Sequence, residues 1–308
     1  MIENPADLFG PEMNCRSAAA IGAFDGLHLG HKHIIRAMVE YSRAAGVTPT
    51  VILFDPLPSQ FFHRIGSNER ILLRDEQEEM LSSLGAERII ILPFSEKIAA
   101  LSPVEFLQAM QSRLHCERLF MGEDFSIGKD RTGNAATLSN LGHTFGYTTE
   151  VIRKDMMDGD VISSTRIRAL LNSGKINEAN RLLGYTFFFS GKIIHGEARG
   201  RKLGFPTLNI RIPEGKIILP NGVYAVYNIV EGKKYASVTN IGLRPTFNLE
   251  SRGIVVESYL LNASGNFYGG TNRVEFVEKL RDEKRFNSAD ELKEQISRDI
   301  KRAETILI

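Results

Sequence analysis

Two histidines, His28 and His31, are three positions apart in the sequence Ile-Gly-Ala-Phe-Asp-Gly-Leu-His-Leu-Gly-His, residues 21–31. Residues 18–24 form an apolar run typical of a buried strand, and the apolar spacing of residues 31–43 predicts a packed helix. The first N–H groups of such a helix are unpaired and lie at the positive end of its dipole, where a phosphate is stabilised. Because the two imidazoles add side-chain donors, the segment predicts a nucleotide phosphate site.

Hydroxyl and arginine side chains occur together further along, in Ile-Ser-Ser-Thr-Arg-Ile-Arg, residues 162–168. A Ser or Thr directly before an apolar periodic segment can cap its helix, and hydroxyl and guanidinium groups together suit a triphosphate. With His-x-Gly-His, this element resembles the nucleotidylyltransferase superfamily, whose members transfer an adenylyl or cytidylyl group from a nucleoside triphosphate and release pyrophosphate. The resemblance implies that His28 and His31 are catalytic. The ATP-binding residues that it implies are Gly22, Phe24, Gly26, His28, His31, Ser164, Thr165 and Arg168.

Residues 191–209 are rich in glycine and in basic side chains, and they end in Gly-Phe-Pro-Thr-Leu-Asn. On its own, a glycine-rich segment of this kind is most often the tip of a hairpin. This one closely resembles the flavokinase signature, which implies that Thr207 and Asn209 bind a Mg²⁺ ion carried by ATP. The same resemblance implies that Glu257 is the catalytic base for the riboflavin hydroxyl. Further ATP-binding residues implied in this half are Gly196, Arg199 and Gly200.

With both signatures present, the whole chain resembles the prokaryotic bifunctional FAD synthetases, which combine riboflavin kinase and FMN adenylyltransferase. Three shorter segments also match that family: residues 54–58, 122–128 with 131–133, and 242–247. The resemblance implies ATP, riboflavin and FMN as substrates. It also implies that Asp124 lies by the flavin or the metal, and that Arg281 and Phe286 belong to a segment that closes over the flavin.

Two departures from the family pattern bear on activity. Leu57 stands where family members usually have His, so one polar group expected near the adenylyl transfer site is missing. Close to the implied base, two acids are replaced by amides, a histidine by tyrosine and a phenylalanine by alanine. The changed positions are Tyr259, Asn262, Ala263 and Asn266. Kinase activity is therefore the weaker half of the prediction.

Three alternatives to a bifunctional enzyme remain open. The first is an adenylyltransferase alone, with the second half retained as a flavin-binding or structural domain. The second is a non-catalytic flavin or nucleotide sensor, which the intact His-x-Gly-His and Ser-Ser-Thr-x-x-Arg patterns disfavour. The third is a nucleotidylyltransferase for another substrate, such as a pyridine mononucleotide, which leaves the flavokinase signature unexplained.

Length and composition limit the class of protein. At 308 residues two domains are expected. A net charge of +1 provides no basic field for nucleic acid or for an anionic membrane surface. Without a signal-peptide pattern or a long apolar run, we expect a cytoplasmic protein with no membrane partner. Cys15 and Cys116 fit neither a metal site nor a disulfide framework.

Short apolar runs alternate with helical patterns in the first half, which predicts a doubly wound, Rossmann-like α/β sheet with ligands at the carboxyl ends of its strands. One helix is opened by the capping box of Ser102 and Glu105. The further predicted strands are residues 50–54, 88–92, 118–121 and 147–152, with a helix over 76–84.

After a helical stretch that ends at residue 183, strands separated by Gly, Pro and Asn turns predominate. This change predicts a domain boundary near Gly184, with domains 1–184 and 185–308. The second domain is predicted to be a small, riboflavin-kinase-like β-barrel with a closing helix. Its predicted elements are strands 187–194, 223–230, 235–241, 254–261 and 273–278 and helix 289–306.

Overall fold

Two units make up the chain, each built around its own sheet. The structure is a computed structural model that describes residues 5–12, 14–128, 131–195, 204–243, 254–263, 267 and 269–308. One unit contains Met1–Ser67 and Leu72–Ser164, and the other contains Asn68–Ile71 and Thr165–Ile308. The domain limits inferred from the sequence, 1–184 and 185–308, remain a prediction.

The first unit contains a five-stranded parallel sheet with strand order β3-β2-β1-β4-β7. These strands are β1 (Ser17–Ile21), β2 (Thr48–Asp55), β3 (Arg88–Pro93), β4 (Cys116–Gly122) and β7 (Thr148–Ile152). Two short hairpins, β5 (Ser126–Ile127) with β6 (Gly133–Asn134) and β8 (Met156–Met157) with β9 (Asp160–Val161), follow the strands. This arrangement confirms the predicted α/β class.

Helices connect the parallel strands, as a crossover between parallel strands requires. These helices are α1 (Leu29–Ala45), α2 (Pro58–Phe61), α3 (Arg74–Ser83), α4 (Glu96–Ala100), α5 (Pro103–Leu114) and α6 (Ala135–Phe145), and a 3-10 helix (Pro5–Phe9) precedes β1. The predicted capping box is present: the Ser102 backbone N–H donates to Glu105 Oε2 at 2.8 Å, and the Glu105 N–H donates to Ser102 Oγ at 3.2 Å. Apolar side chains from β1, β4 and α5 form the core, among them Ile21, Met121 and Phe106.

The second unit contains α7 (Ser164–Asn172), whose first residue belongs to the first unit, α8 (Ile176–Leu183) and a closed barrel. Its strand order is β10-β11-β14-β13-β12-β15, with all neighbours antiparallel. The strands are β10 (Phe188–Ile194), β11 (Leu208–Ile210), β12 (Gly222–Val230), β13 (Lys233–Leu243), β14 (Ile254–Leu260) and β15 (Thr271–Arg281). The barrel confirms the prediction, although β11 was not predicted.

The last helix, α9 (Ala289–Leu307), packs on the barrel, as predicted. Ala303 and Leu307 of the helix are buried against Val223, Val238 and Leu280 of the strands. These strand residues are on the opposite face from Thr239 and Ser258, which are fully buried and hydrogen-bonded to each other at 2.6 Å. The barrel therefore has a filled interior and an outer face covered by α9. In the part of the chain that the structure describes, no helix is long and apolar enough to cross a membrane.

A glycine in β10 permits a close crossing of two strands. A Cβ atom at Gly191 would be 2.1 Å from the Arg211 carbonyl oxygen. We expect Gly191→Ala to destabilise the barrel unit by about 1–3 kcal/mol, because backbone must move to admit the methyl group. Chemical denaturation followed by circular dichroism measures this change. Gly270→Ala is the matched control, since its Cβ would be 3.4 Å from the nearest atom; equal stability of the two variants would contradict the packing argument.

Candidate functional sites

The loop between β1 and α1 turns sharply at the carboxyl end of the central strand. Strand β1 ends at Ile21, earlier than predicted, because Phe24, Gly26 and Leu27 adopt positive φ angles of 45°, 82° and 35°. Gly22 is required by packing, since a Cβ there would be 2.9 Å from Cζ of the Phe24 ring. The loop therefore depends on both glycines that the sequence marked as site residues.

Polar groups from three other segments hold this loop. Gln77 Nε2 of α3 donates to the carbonyl oxygens of Ala23 and Phe24, each at 3.0 Å. Ser164 Oγ donates to the Asp25 carbonyl oxygen at 2.8 Å, and the Leu72 N–H donates to Asp25 Oδ1 at 3.2 Å. Ser164 thus lies beside the loop of the predicted phosphate site, and its hydroxyl proton is directed to the loop backbone.

His28 and His31 lie at the start of α1. The helix begins at Leu29, before the predicted start, because His28 is its N-cap: the His31 N–H donates to His28 Nδ1 at 3.4 Å. The two imidazole rings stack with their centroids 3.6 Å apart, and the Phe24 ring contacts His31 edge-on. His31 Nδ1 is buried and has no hydrogen-bond partner among the described residues. An unpaired donor or acceptor is therefore available at the helix N-terminus.

Both imidazoles are neutral at ordinary pH. Burial lowers the pKa of His28 to about 4, outweighing the raising effect of the nearby Asp155 carboxylate, and the Lys32 ammonium lowers this pKa slightly further. Burial also lowers the pKa of His31 well below its ordinary value, and His28 adds to the shift. The site therefore provides neutral nitrogen donors and acceptors and a helix dipole for a phosphate.

Lys32 and Asp155 are neighbours of the histidines that the sequence reading missed. Lys32 is buried, and burial lowers the pKa of its amine. Asp155 follows β7, and its Oδ1 is 3.5 Å from His33 Nδ1. Neither belongs to a recognisable motif, and a helical lysine and a loop aspartate are ordinarily surface residues. Lys32 is one turn after His28 on α1, whereas Asp155 comes close to His28 only because the carboxyl ends of β1 and β7 lie at the same end of the sheet.

Several implied site residues lie elsewhere. Thr165 and Arg168 belong to the second unit, where Arg168 is buried and its Nε donates to the Glu69 carbonyl oxygen at 2.9 Å. Asp124 is exposed in the turn after β4 and pairs with Lys154. Positions outside the described residues are Gly196, Arg199, Gly200 and Asn266.

Leu57 is the residue that departs from the family pattern in the first unit. Its side chain is buried at the start of α2, and its backbone N–H donates to Gln60 Oε1 at 3.4 Å. The position therefore contributes an apolar contact, and no polar side-chain group replaces the expected histidine there.

A cavity of about 310 Å³ lies on the outer face of the barrel. Thr207, Glu257 and Arg281 all line it, together with Tyr259 and Phe286. Five residues implied by the flavokinase signature and its flanks are thus brought to one pocket, although they come from distant parts of the sequence. The remaining wall residues are Phe205, Val223, Val238, Asn240, Glu283, Lys284, Leu292, Ile296 and Asp299.

Strand register places polar residues side by side at Glu257. Asn209 of β11 and Asn240 of β13 are each directly opposite Glu257 of β14, so all three are on the same face of the sheet. Asn209 is buried and Thr207, two residues earlier, is on the same face. Asn240 was not identified from the sequence, because a single asparagine in a strand does not indicate a binding site until its neighbours in the sheet are known.

The oxygen atoms in this pocket fit a divalent ion held mainly by phosphates. Thr207 and Glu257 line the pocket and offer a hydroxyl and a carboxylate, and Asn209, which does not line it, lies opposite Glu257 with an amide carbonyl. These are the hard oxygen donors that such ions prefer. Among the described residues, no cluster of three His, Cys, Asp or Glu side chains could form an all-protein metal site. The donor set thus suits an ion that arrives with a nucleotide.

Comparisons with known proteins match both halves of the chain. A family model described as FAD synthetase matches residues 10–166, and one described as riboflavin kinase matches residues 183–307. Proteins named bifunctional riboflavin kinase/FMN adenylyltransferase from Bacillus subtilis and Escherichia coli K12 are each 34% identical over 94% of this chain, and the matches cover 92% and 91% of those proteins. The chain belongs to this bifunctional family.

The fold of this family member also has a solved counterpart. A crystal structure described as a macrolide-efflux protein from Streptococcus pneumoniae is 27% identical, with a TM-score of 0.89 and 96% coverage of both chains. The loop of His28 and His31 lies within the region that matches FAD synthetase. The pocket of Glu257 lies within the region that matches riboflavin kinase. Each matched region therefore has its own candidate site.

The low pKa of His28 makes stability depend on pH. Between about pH 6.5 and pH 4, the unfolded chain binds a proton at His28 that the folded protein excludes, so stability falls as the pH falls. When the pH is lowered from 7 to 5, we expect the free energy of unfolding to fall by about 2 kcal/mol because of His28. His28→Asn retains a capping side chain and should reduce this pH dependence in urea denaturation. An unchanged pH dependence would contradict the assignment.

Proposed function

We propose that the chain converts riboflavin to FMN and FMN to FAD, using ATP in both steps and releasing pyrophosphate in the second. The observation that carries this proposal is the presence of two separate sites: paired histidines at a helix N-terminus in one unit, and a carboxylate beside hydroxyl and amide oxygens in the other. An enzyme that carried out only adenylyl transfer would not need the carboxylate, hydroxyl and amide groups of the second unit. An enzyme that uses ATP, riboflavin and FMN would act in the cytoplasm.

Adenylyl transfer requires the alignment of two anions and no protein nucleophile. An FMN phosphate oxygen bonds to the α-phosphorus of ATP while the bond from that phosphorus to the β-phosphate oxygen breaks, and pyrophosphate leaves. His28 and His31, both neutral and buried, would hydrogen-bond the ATP phosphates as charge moves to the leaving group. The unpaired His31 Nδ1 supports this role.

Loop geometry supports a place for ATP beside these histidines. Gly22 leaves room for the Phe24 ring, which lies beside His31, and Gly26 adopts a positive φ of 82° in the turn. Ser164 contributes to the same site through its bond to the Asp25 carbonyl oxygen. Thr165 and Arg168 would bind the triphosphate, and Asp124 would lie close to the flavin. Because Leu57 is buried and apolar, it provides no polar group for adenylyl transfer, which would depend on the other residues.

In the kinase step Glu257 would act as the general base. It accepts the proton of the riboflavin hydroxyl while that oxygen bonds to the γ-phosphorus and ADP leaves. Thr207 and Asn209 would hold Mg²⁺, which supplies charge neutralisation at the transferring phosphate when it is bound. Arg281 and Phe286 line the same cavity and would contact the flavin ring. Gly196, Arg199 and Gly200 would bind the phosphates of ATP.

Replacement of the proposed base tests the kinase step. We expect Glu257→Gln to lower FMN formation from riboflavin about 10²- to 10⁴-fold, the range for loss of a general base. FAD formation from supplied FMN should be unchanged, and chromatography of the products measures both. Glu275→Gln is the control, since Glu275 is a barrel glutamate paired with Lys234 outside the pocket. Full kinase activity in Glu257→Gln would refute the assigned base.

Replacement of the histidines tests the adenylyl transfer step. We expect His28→Ala and His31→Ala each to lower FAD formation from FMN about 10²- to 10³-fold, because donors to the transition state are lost. Riboflavin phosphorylation should persist in both variants. His143→Ala, which replaces an exposed histidine of α6, should retain both activities. If FAD forms at the normal rate without either imidazole, the assigned ATP site is wrong.

A further inference from the structure

The ion pair between Arg281 and Asp299 forms part of the wall of the Glu257 pocket. Arg281 is the last residue of β15, and Asp299 is on α9. Arg281 Nε lies 3.1 Å and 3.0 Å from the two carboxylate oxygens, and Nη2 lies 2.8 Å from Oδ2. Asp299 is 5% exposed. The carboxylate is therefore withdrawn from water and neutralised by one guanidinium.

The position of Asp299 is fixed from both sides. Gln295 Nε2, one turn earlier on α9, donates to Asp299 Oδ1 at 2.8 Å. Helix α9 is itself docked on the barrel through the buried Ala303 and Leu307. A buried carboxylate with both oxygens occupied has little freedom to move, because any displacement breaks hydrogen bonds that water cannot replace. Asp299 therefore determines the orientation of Arg281.

The ion pair leaves two donors of Arg281 for a ligand. Of its five N–H groups, Nε–H and one on Nη2 are used by Asp299, and one on Nη1 donates to the Asp282 carbonyl oxygen at 3.0 Å. Among the described residues, no other hydrogen-bond acceptor contacts this guanidinium. One N–H on each Nη nitrogen remains, and these two donors can meet the acceptor atoms of a planar ligand.

The surroundings of Arg281 favour a ring system as that ligand. Phe286 is near the guanidinium, with its centroid 5.8 Å from Arg281 Cζ, and Leu292 and Ile296 of α9 line the same cavity. A triphosphate would place multiple negative charges against these apolar side chains. A flat heteroaromatic ring can instead pack on them, and its carbonyl oxygens can accept hydrogen bonds from the two remaining N–H groups of Arg281. This part of the pocket thus matches the riboflavin ring.

We propose that Asp299 is a positioning residue for riboflavin: it holds the Arg281 guanidinium in the orientation that meets the acceptor atoms of the ring. This inference rests on the proposed kinase function of the same pocket. Without the carboxylate, Arg281 retains its charge but loses its fixed direction, so riboflavin must order the side chain when it binds. The loss should therefore appear in riboflavin affinity, because the chemical groups at Glu257 are untouched.

Steady-state kinetics with varied riboflavin and saturating Mg-ATP test the proposal in the full chain. We expect Asp299→Asn to raise the riboflavin KM about tenfold while kcat changes less than about threefold, the pattern of lost ground-state binding. The Kd from quenching of riboflavin fluorescence should rise by a similar factor. Circular dichroism with chemical denaturation reports whether the barrel unit of the variant is folded, and FAD formation from FMN, which uses the other unit, is the activity that should not change.

Arg302→Gln is the matched control for the docking of α9. Arg302 joins α9 to β15 through the Glu278 carboxylate at 3.0 Å and the Leu280 carbonyl oxygen at 2.9 Å, and it does not line the pocket. We expect it to leave the riboflavin KM unchanged. If Arg302→Gln raises KM as much as Asp299→Asn, general helix docking explains the effect and the positioning role is refuted.

The remaining outcomes are also decisive. If Asp299→Asn does not fold, Asp299→Glu keeps the charge but displaces the carboxylate, and it should raise KM in the same direction. A normal riboflavin KM in the folded variant, whether Asn or Glu, overturns the inference and leaves the kinase function intact. If the unaltered protein forms no FMN from riboflavin, the proposed kinase function itself fails.

Discussion

Pairing of backbone polar groups in a buried turn is the constraint on which the first unit depends. The turn after β1 reverses within a few residues, and it leaves carbonyl oxygens that no regular element can satisfy. Gln77 and Ser164 provide the missing donors for Ala23, Phe24 and Asp25. Because the turn sets where α1 begins, these hydrogen bonds also decide where the two imidazoles lie. The structure thus links a requirement of folding to the geometry of a phosphate site.

The second unit follows a different rule. Among the described residues, side chains such as Val256 and Phe276 and the Thr239–Ser258 pair are buried inside its barrel. The candidate pocket lies on the outer face, where a helix can shield a ligand from water. Helix α9 meets this need, and it supplies both the apolar wall and the buried carboxylate of the pocket.

Sequence reasoning recovered the periodic elements and the residues that belong to compact motifs. Both the α/β class and the barrel followed from hydrophobic patterns, and Thr207 and Glu257 meet in one cavity. Sequence reasoning missed β11, because its three residues are too few to show the alternating pattern of a strand and they follow glycines and a proline. It also missed Asp299 and Gln77, since a polar residue on a helix is recognised as structural only when its partner from a distant segment is known.

The neutrality of the stacked imidazoles has a consequence for selectivity among anions. A hydrogen bond from a neutral group largely replaces one made to water, so a single such contact gains little free energy. Small anions such as chloride or inorganic phosphate can make only a few of these contacts at the start of α1. A nucleotide bound as proposed would contact the helix N-terminus, the loop and both rings together. The proposed site would therefore select ligands by the number and direction of their contacts, and simple salts would compete poorly.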